Sequence, residues 1–440
     1  MSNINDYNYE KIDEPYNEFL QRTGVSGASA SNEAGTPSGG SVLGGETQNN
    51  TGIFDNIWID KWIKSKNYKP KAIGFLIDGL RGYIESVRAF FGDSTYYMSF
   101  VDGELIIKSK YSNLQLYDAV VDIAGHGDYT DIQSAINAGK TNIFVRVGTY
   151  VLTADLTTLS GVSITGEDKY ETIIDVNGIY RLDFEGAAPY TTGSITVANN
   201  DATITGSGTV WTTSLVAGDY FCFNQNVYKV ASITDNTHLE LTEAYQGNPD
   251  SGLVYMAGAL MHDIHFSNFT IMGQDTTVIN RDSFTLYHLV NSVIRDIVIR
   301  DNHPVYTLGL SMGNAYNNIF TNIEERGNGR TAFYLNNAIN NFFDNISTGN
   351  NTDDGIGLEA SSYNNFSNIS SNNNTQTGIR LKGESHKNNF TNINTSNNGM
   401  NGIHFTESDF NHVSNVTAIK NGNNGIFTDD AYGNNFNNIF

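Results

Sequence analysis

The chain has 440 residues, 39% of them hydrophobic, enough for a large core and for more than one folded unit. Its formal net charge of −22 argues against nucleic acid or an anionic membrane as a general partner, and a polyanionic ligand would need a local basic patch or a bridging cation. Cys222 stands alone, so no disulfide can close within the chain, and six prolines beside 43 glycines fit a turn-rich β protein.

Residues 1–52 are polar, and the Gly/Ser/Thr/Asn-rich stretch from Gly24 to Gly52 reads as a flexible tether. The opening residues Met-Ser-Asn-Ile-Asn-Asp have no basic or apolar leader region, so neither a Sec-type signal peptide nor a membrane span is expected. Residues 53–110 turn apolar and aromatic, with a hairpin signal at Val101-Asp-Gly-Glu, and suggest a small β module used for attachment. At Asp118 a new pattern opens a third segment, 118–186. Ile132, Ala135 and Ile136 sit at helical spacing, with Thr130 or Asp131 as N-cap and Gly139 as stop, and the strand IFVRV and a GTY turn follow. Alternating runs such as YKVASI and LELT, separated by Gly-Ser, Ala-Gly-Asp and Asp-Asn turns, then predict a barrel-like insert of five or six strands over 187–258.

Residues 259–440 read as rungs, and from Asn317 to the last residue the chain repeats itself every 23 residues. Phe320, Phe343, Phe366, Phe390, Val413 and Phe436 are spaced 23, 23, 24, 23 and 23 apart, and each is followed three residues later by Ile323, Ile346, Ile369, Ile393, Val416 or Ile439. A second apolar pair with strand spacing recurs at Phe333/Leu335, Ile356/Leu358, Ile379/Leu381 and Ile403/Phe405. Short strands at a fixed period with no helix between them predict a β-solenoid, coils about 4.8 Å apart. Three asparagine columns share the period, beginning at Asn318, Asn322 and Asn328, where stacked amides could bond one another. Gly355, Gly378, Gly402 and Gly425 precede the second strand, a place where positive φ is expected. The chain stops inside a rung at Asn438-Ile439-Phe440, without a cap, which reads as a fragment of a longer protein or an edge covered by another chain.

The helix, strand and GTY turn between Asp118 and Val176 resemble the N-terminal cap of pectate-lyase-like right-handed parallel β-helix proteins. The NNF-x-NI…GIxL rungs resemble the repeats shared by carbohydrate-active and carbohydrate-binding members of that fold. TGSGTVW, AGDYF and LELTEAYQG resemble a small module of phage tail and spike proteins, and GFLIDGLRGYIES…FFG is similar to segments of phage tail fibres. The expected fold is therefore all-β: a right-handed parallel β-helix (solenoid) with a small β-barrel-like insertion and a flexible N-terminal segment. The resemblance implies a phage or prophage tail fibre or tailspike-like protein, on a virion tail or an extracellular surface, that binds a cell-surface polysaccharide. It also implies a homotrimer and N-terminal contacts with other virion tail proteins. Two other readings stand: a stand-alone polysaccharide lyase or glycoside hydrolase, and a non-catalytic structural or adhesive surface protein.

No HExxH, GxSxG, P-loop or paired CxxC motif is present. NTDD at Asn351–Asp354 and GIRLK at Gly378–Lys382 resemble pieces of the polygalacturonase signatures. In that family a Gly-His-Gly piece falls between them, whereas Gly125-His126-Gly127 precedes both here. Stacking the repeat puts Tyr334, Gly357, Arg380, His404 and Phe427 in one outward column, and Asn336, Glu359, Lys382, Thr406 and Asp429 in the next. An aromatic ring can cover the apolar face of a sugar while polar groups fix its hydroxyls or uronates, so Tyr334, Phe427, Asn336 and Asp429 are candidate substrate-binding residues. Glu359 beside Arg380 and Lys382 could act as the base of a uronate lyase, with His404 an alternative acid or base. The same charges also read as an ordinary solvated face. In the preceding turns, Asp353 and Asp354 near Arg330, and Glu324 with Glu325, are paired carboxylates that could serve as acid and base or hold Ca2+, or simply cap backbone. His262, His265, His288 and His303 lack metal-ligand spacing, and no organic cofactor is implied.

Overall fold

The computed structural model describes residues 117–273, 282–301 and 308–440, together with five backbone strands between Trp62 and Lys108. The expected tether, 1–52, lies outside the described residues. The five strands, Trp62–Lys64, Gly74–Asp78, Arg88–Gly92, Tyr97–Val101 and Glu104–Lys108, form an antiparallel meander in which Val101 pairs with Glu104.

The second compact unit, Tyr117–Phe440, is a parallel β-helix. Its first rung carries the short helix Ile132–Asn137, whose Ile132, Ala135 and Ile136 face inward. Asp131 caps it by accepting the Ser134 N–H at 2.8 Å, and Gly139 at φ 74° ends it. Strands from successive rungs then stack into a parallel sheet of 13 strands and another of 11. Register is set by the repeat: Phe320 pairs with Phe343, Phe343 with Phe366 and Phe366 with Phe390. Their rings stack along the axis with centroids 5.1, 4.5 and 4.7 Å apart, all fully buried. The β period of two sends these side chains inward and leaves their neighbours outside.

Two asparagine columns are buried. From Asn318 through Asn341, Asn364 and Asn388 to Asn411, each amide Nδ2 donates to the next Oδ1 at 2.9–3.1 Å, and that oxygen also accepts the backbone N–H of the residue below. The column from Asn328 to Asn421 is bonded likewise. In these columns the buried amides and the backbone N–H groups they meet are thus satisfied. The third column, Asn322 to Asn438, is exposed and sits at φ 52–60°. Positive φ therefore falls on these asparagines and not on Gly355, Gly378, Gly402 and Gly425, which the sequence suggested. Those glycines answer to space. A Cβ on Gly355 would lie 1.9 Å from Ser371 Oγ, and one on Gly402 would lie 2.4 Å from Gly425 O.

The insertion leaves the helix after Leu182–Glu185 and returns near Met261, and the rungs close over it, Leu182 pairing with Phe284. It comprises seven antiparallel strands in an open order, not five or six. It has its own core around Trp211, whose Nε1 donates to Tyr255 Oη at 3.0 Å. Tyr220, Cys222 and Met256 of the insertion pack on Leu260, Val290 and Tyr316 of the helix, and Asn340 Nδ2 donates to Gln225 O at 3.1 Å.

Candidate functional site

Strand pairing in the 11-stranded sheet builds the two outward columns rung by rung. Tyr334 is level with Gly357, Arg380, His404 and Phe427, and Asn336 with Glu359 and Lys382, while Thr406 pairs with Asp429. Glu359 lies at the centre. Lys382 Nζ stands 2.8 Å from its Oε2 and Tyr334 Oη bonds the same oxygen, so the Lys382 bond first and the tyrosine second hold its carboxyl below the usual range. Burial first, and that bond second, push the Tyr334 phenol up to about 12. Asn336 Nδ2 reaches the same hydroxyl at 3.5 Å, and Lys382 Nζ lies 6.0 Å from the Tyr334 ring centre. The ring lies against Gly357, where a Cβ would meet it at 3.3 Å.

Arg380 turns to Asp354 of the previous rung, Nη1 to Oδ2 3.3 Å. Asp354 Oδ1 accepts the Thr377 N–H at 2.9 Å. Burial raises the Asp354 carboxyl to about 6 despite the arginine. Asp353 points elsewhere, to Thr331 Oγ1 at 3.4 Å and Arg330 Nε at 3.9 Å. His404 Nε2 meets Thr406 Oγ1 at 3.1 Å, its ring lies 5.0 Å from Phe427, and burial, then Arg380, lowers its pKa. Asp429 is exposed. The signature pieces NTDD and GIRLK thus meet through Asp354 and Arg380. His126 lies beside Asp122, 3.6 Å away, in the opening rungs.

Glu324 and Glu325 do not form a pair. They are adjacent in one strand, so they point to opposite sides of the sheet. Glu324 faces out; although burial works against its charge, Lys169 and Tyr170 at 2.7 and 2.8 Å hold it below its ordinary range. Glu325 faces in, fully buried, and burial drives its pKa well up. A shared cation between them is therefore excluded by direction, and among the described residues no three His, Cys, Asp or Glu side chains gather as a metal site. His288 is buried, its Nδ1 3.0 Å from Gly186 O, and His303 lies outside the described residues.

The outward face continues past the residues picked out in the sequence. Asp183, Thr285 and Ser311 extend the first column and Tyr287 the second, with Thr285 and Ser311 buried rather than open to solvent. Arg181 Nη2 donates to Asp183 Oδ2 and Thr285 Oγ1 to Asp183 Oδ1, both at 2.7 Å, and Tyr287 Oη lies 2.9 Å from Ser311 Oγ. Burial also raises the nearby Asp282. The repeat pattern does not point to these residues, because 102 positions separate Asp183 from Thr285. The alternation of Leu182 and Phe184 against Phe284 and Leu286 is the signal that would have found them.

Residues 289–440 match the family of right handed beta helix regions. No curated protein sequence matches the chain. The solved structures it is similar to include the Pseudomonas phage phi297 tailspike gp61, at 12% identity over 70% of this chain and 72% of that one, TM-score 0.32. The A-module of the Azotobacter vinelandii mannuronan C-5 epimerase AlgE4 is 12% identical over 70% of this chain and 91% of that one, TM-score 0.36. ORF18 of Geobacillus virus E2 is 12% identical over 78% of this chain and 68% of that one, TM-score 0.42. At this level the likeness concerns the fold.

Proposed function

We propose that the outward face of the 11-stranded sheet binds a polysaccharide, in a tail fibre or tailspike-like protein that meets a cell surface. The observation that carries this reading is the contiguous Tyr334–Glu359–Lys382 group on a rigid sheet. An aromatic ring lies against Gly357, a carboxylate and an ammonium stand beside it, and polar side chains continue on the neighbouring rungs. Such a surface offers a sugar its stacking partner and its hydroxyl partners together. The virion tail setting, a homotrimeric assembly and N-terminal contacts with other tail proteins belong to the same proposal and rest on the sequence resemblance.

Binding fits the arrangement better than turnover. Glu359 is engaged by Lys382 and Tyr334, while Asp354 has a side chain only 6% exposed and is committed to Arg380 and Thr377. One observation favours catalysis as a second reading. Asp354, with a pKa of about 6 beside an arginine, and the ionised Glu359 are two carboxylates whose environments drive their protonation apart.

Incubation with acidic and neutral bacterial surface polysaccharides decides between them, following bound fraction, chain length, reducing ends and unsaturated-uronate absorbance. Binding without shortening, weakened about tenfold or more by Lys382→Ala, supports the proposal; shortening moves the assignment to a lyase or hydrolase. Binding untouched by Lys382→Ala removes this face from the function.

A further inference from the structure

A second outward feature lies on the corner just before the buried Asn318–Asn411 column. The corner residues are Asn291, Asn317, Asn340, Tyr363, Lys387, Phe410 and Gly433, and all have φ between 50° and 67°. They stack rung on rung. Tyr363 N–H donates to His386 O at 3.2 Å, Lys387 N–H to Asp409 O at 3.0 Å and Phe410 N–H to Tyr432 O at 3.0 Å. Asparagine and glycine suit this left-handed backbone, and the corner uses them at both ends. On three successive rungs it carries a tyrosine, a lysine and a phenylalanine instead. Bulky residues are disfavoured there, and local strain of this kind gathers at sites kept for another purpose.

Burial repays little of this strain: Tyr363 is half-buried, while Lys387 and Phe410 are exposed. Phe410 is 61% exposed, although a further rung stacks beyond it. Gly433 makes room for its ring, since a Cβ there would lie 2.6 Å from Phe410 Cδ1. Lys387 Nζ donates to Tyr363 Oη at 2.8 Å and stands 5.1 Å from that ring's centre. Among the described residues it has no carboxylate partner, whereas Lys169 and Lys382 each have one. Asp409 turns aside to accept the Tyr432 N–H at 2.7 Å, and His386 Nδ1 accepts the Asp409 N–H at 2.8 Å. The ridge begins one rung beyond Asn340, where the insertion makes its contact through Gln225.

We propose that Tyr363, Lys387 and Phe410 form a second saccharide site, selective for acidic sugars. The backbone positions that carry the two rings lie two rungs, about 9.6 Å, apart, on the scale of a disaccharide unit whose apolar faces the rings can cover. The Lys387 ammonium, held beside the Tyr363 ring, takes the carboxylate, a local basic point on a chain of net charge −22. The choice of a saccharide over other ligands rests on the polysaccharide reading above, but the residues are separate from that face.

The test uses the full chain with tetragalacturonate as the acidic probe and cellotetraose as the neutral one. Phe410→Asn and Lys387→Asn restore the residue found elsewhere on this corner, so each should raise the melting temperature by about 1–3 °C. Phe410→Asn should weaken both probes at least tenfold, and Lys387→Asn should erase a preference for the acidic one. Both variants are also measured in a Lys382→Ala background, which disables the sheet face: the same losses there belong to the ridge, so failure of the sheet face and failure of the ridge read differently. The proposal is overturned if neither probe binds the wild type or if both variants bind as the wild type does. A lower melting temperature for Phe410→Asn would make the ring a packing element. A changed sedimentation mass would make the ridge a contact between copies. Either result also overturns it.

Discussion

At the scale of single residues, direction decides chemistry. Glu324 and Glu325 share a type and a place in the sequence, yet one is an ionised surface partner of Lys169 and the other a buried acid. The buried carboxyl of Glu325 is poorly satisfied, with only the Leu310 N–H beside it among the described residues, and room for it exists because position 309 is glycine, where a Cβ would lie 1.8 Å from Oε1. The next rungs place Thr348 and Ser371 at this position, joined Oγ1 to Oγ at 2.8 Å. Glu325→Thr should therefore stabilise the protein at neutral pH by about 1–3 kcal/mol, the range for relieving an unpaired buried polar group. The sign in pH is set by the raised pKa of the folded state. The stabilising contribution of Glu325 is complete below its unfolded value of about 4.5 and is lost as pH rises through the higher folded value. Chemical denaturation of wild type and variant between pH 4 and 8 should show the gap widening with pH; a constant gap would remove the buried acid as its cause.

At the scale of the rung, backbone space and polar satisfaction set what the repeat tolerates. Gly355 is hemmed in by Ser371 Oγ, Asn374 Nδ2 and Thr348 Oγ1, with a Cβ 1.9–2.6 Å from them. Gly357, two residues on, would meet only the Tyr334 ring and Thr331 at 3.3–3.4 Å. Gly355→Ala should cost about 3 kcal/mol or more, and Gly357→Ala about 1 kcal/mol or less, read from urea midpoints. Equal costs would mean that the interior is looser than these distances imply. The strands, their pairing and the Phe and Ile columns are legible in the repeat spacing alone, because stacking at one period leaves only one register. Spacing does not reveal which glycine needs space and which asparagine needs positive φ. Both lie in turns, and only the path of the neighbouring rung separates them.

At the scale of the molecule, the β-helix is a one-dimensional stack in which each rung rests on its neighbours. The Phe320–Phe390 column runs through its middle, so Phe366→Ala removes a ring held at 4.5 and 4.7 Å from those on either side. The expected loss is about 3–5 kcal/mol. Because coupling is between neighbours, unfolding followed by fluorescence and circular dichroism together should separate into more than one step, where wild type shows fewer. A single unchanged transition would show that cooperativity spans the stack by other contacts.

Periodicity by itself determined an all-β solenoid, its rung length, its inward columns and the outward neighbours Tyr334, Glu359, Arg380 and Lys382, since a period of two allows one alternation only. The tertiary structure alone decided which of these meet. It engages Glu359 with Lys382 and Tyr334, takes Arg380 back to Asp354, and sends Glu325 inside. It also joins Asp183 to Thr285 across the insertion and turns Tyr363, Lys387 and Phe410 outward on a strained corner. The reason is physical: a repeat specifies neighbours along the stack, whereas side-chain partners, burial and backbone strain depend on how each rung closes around its own turns.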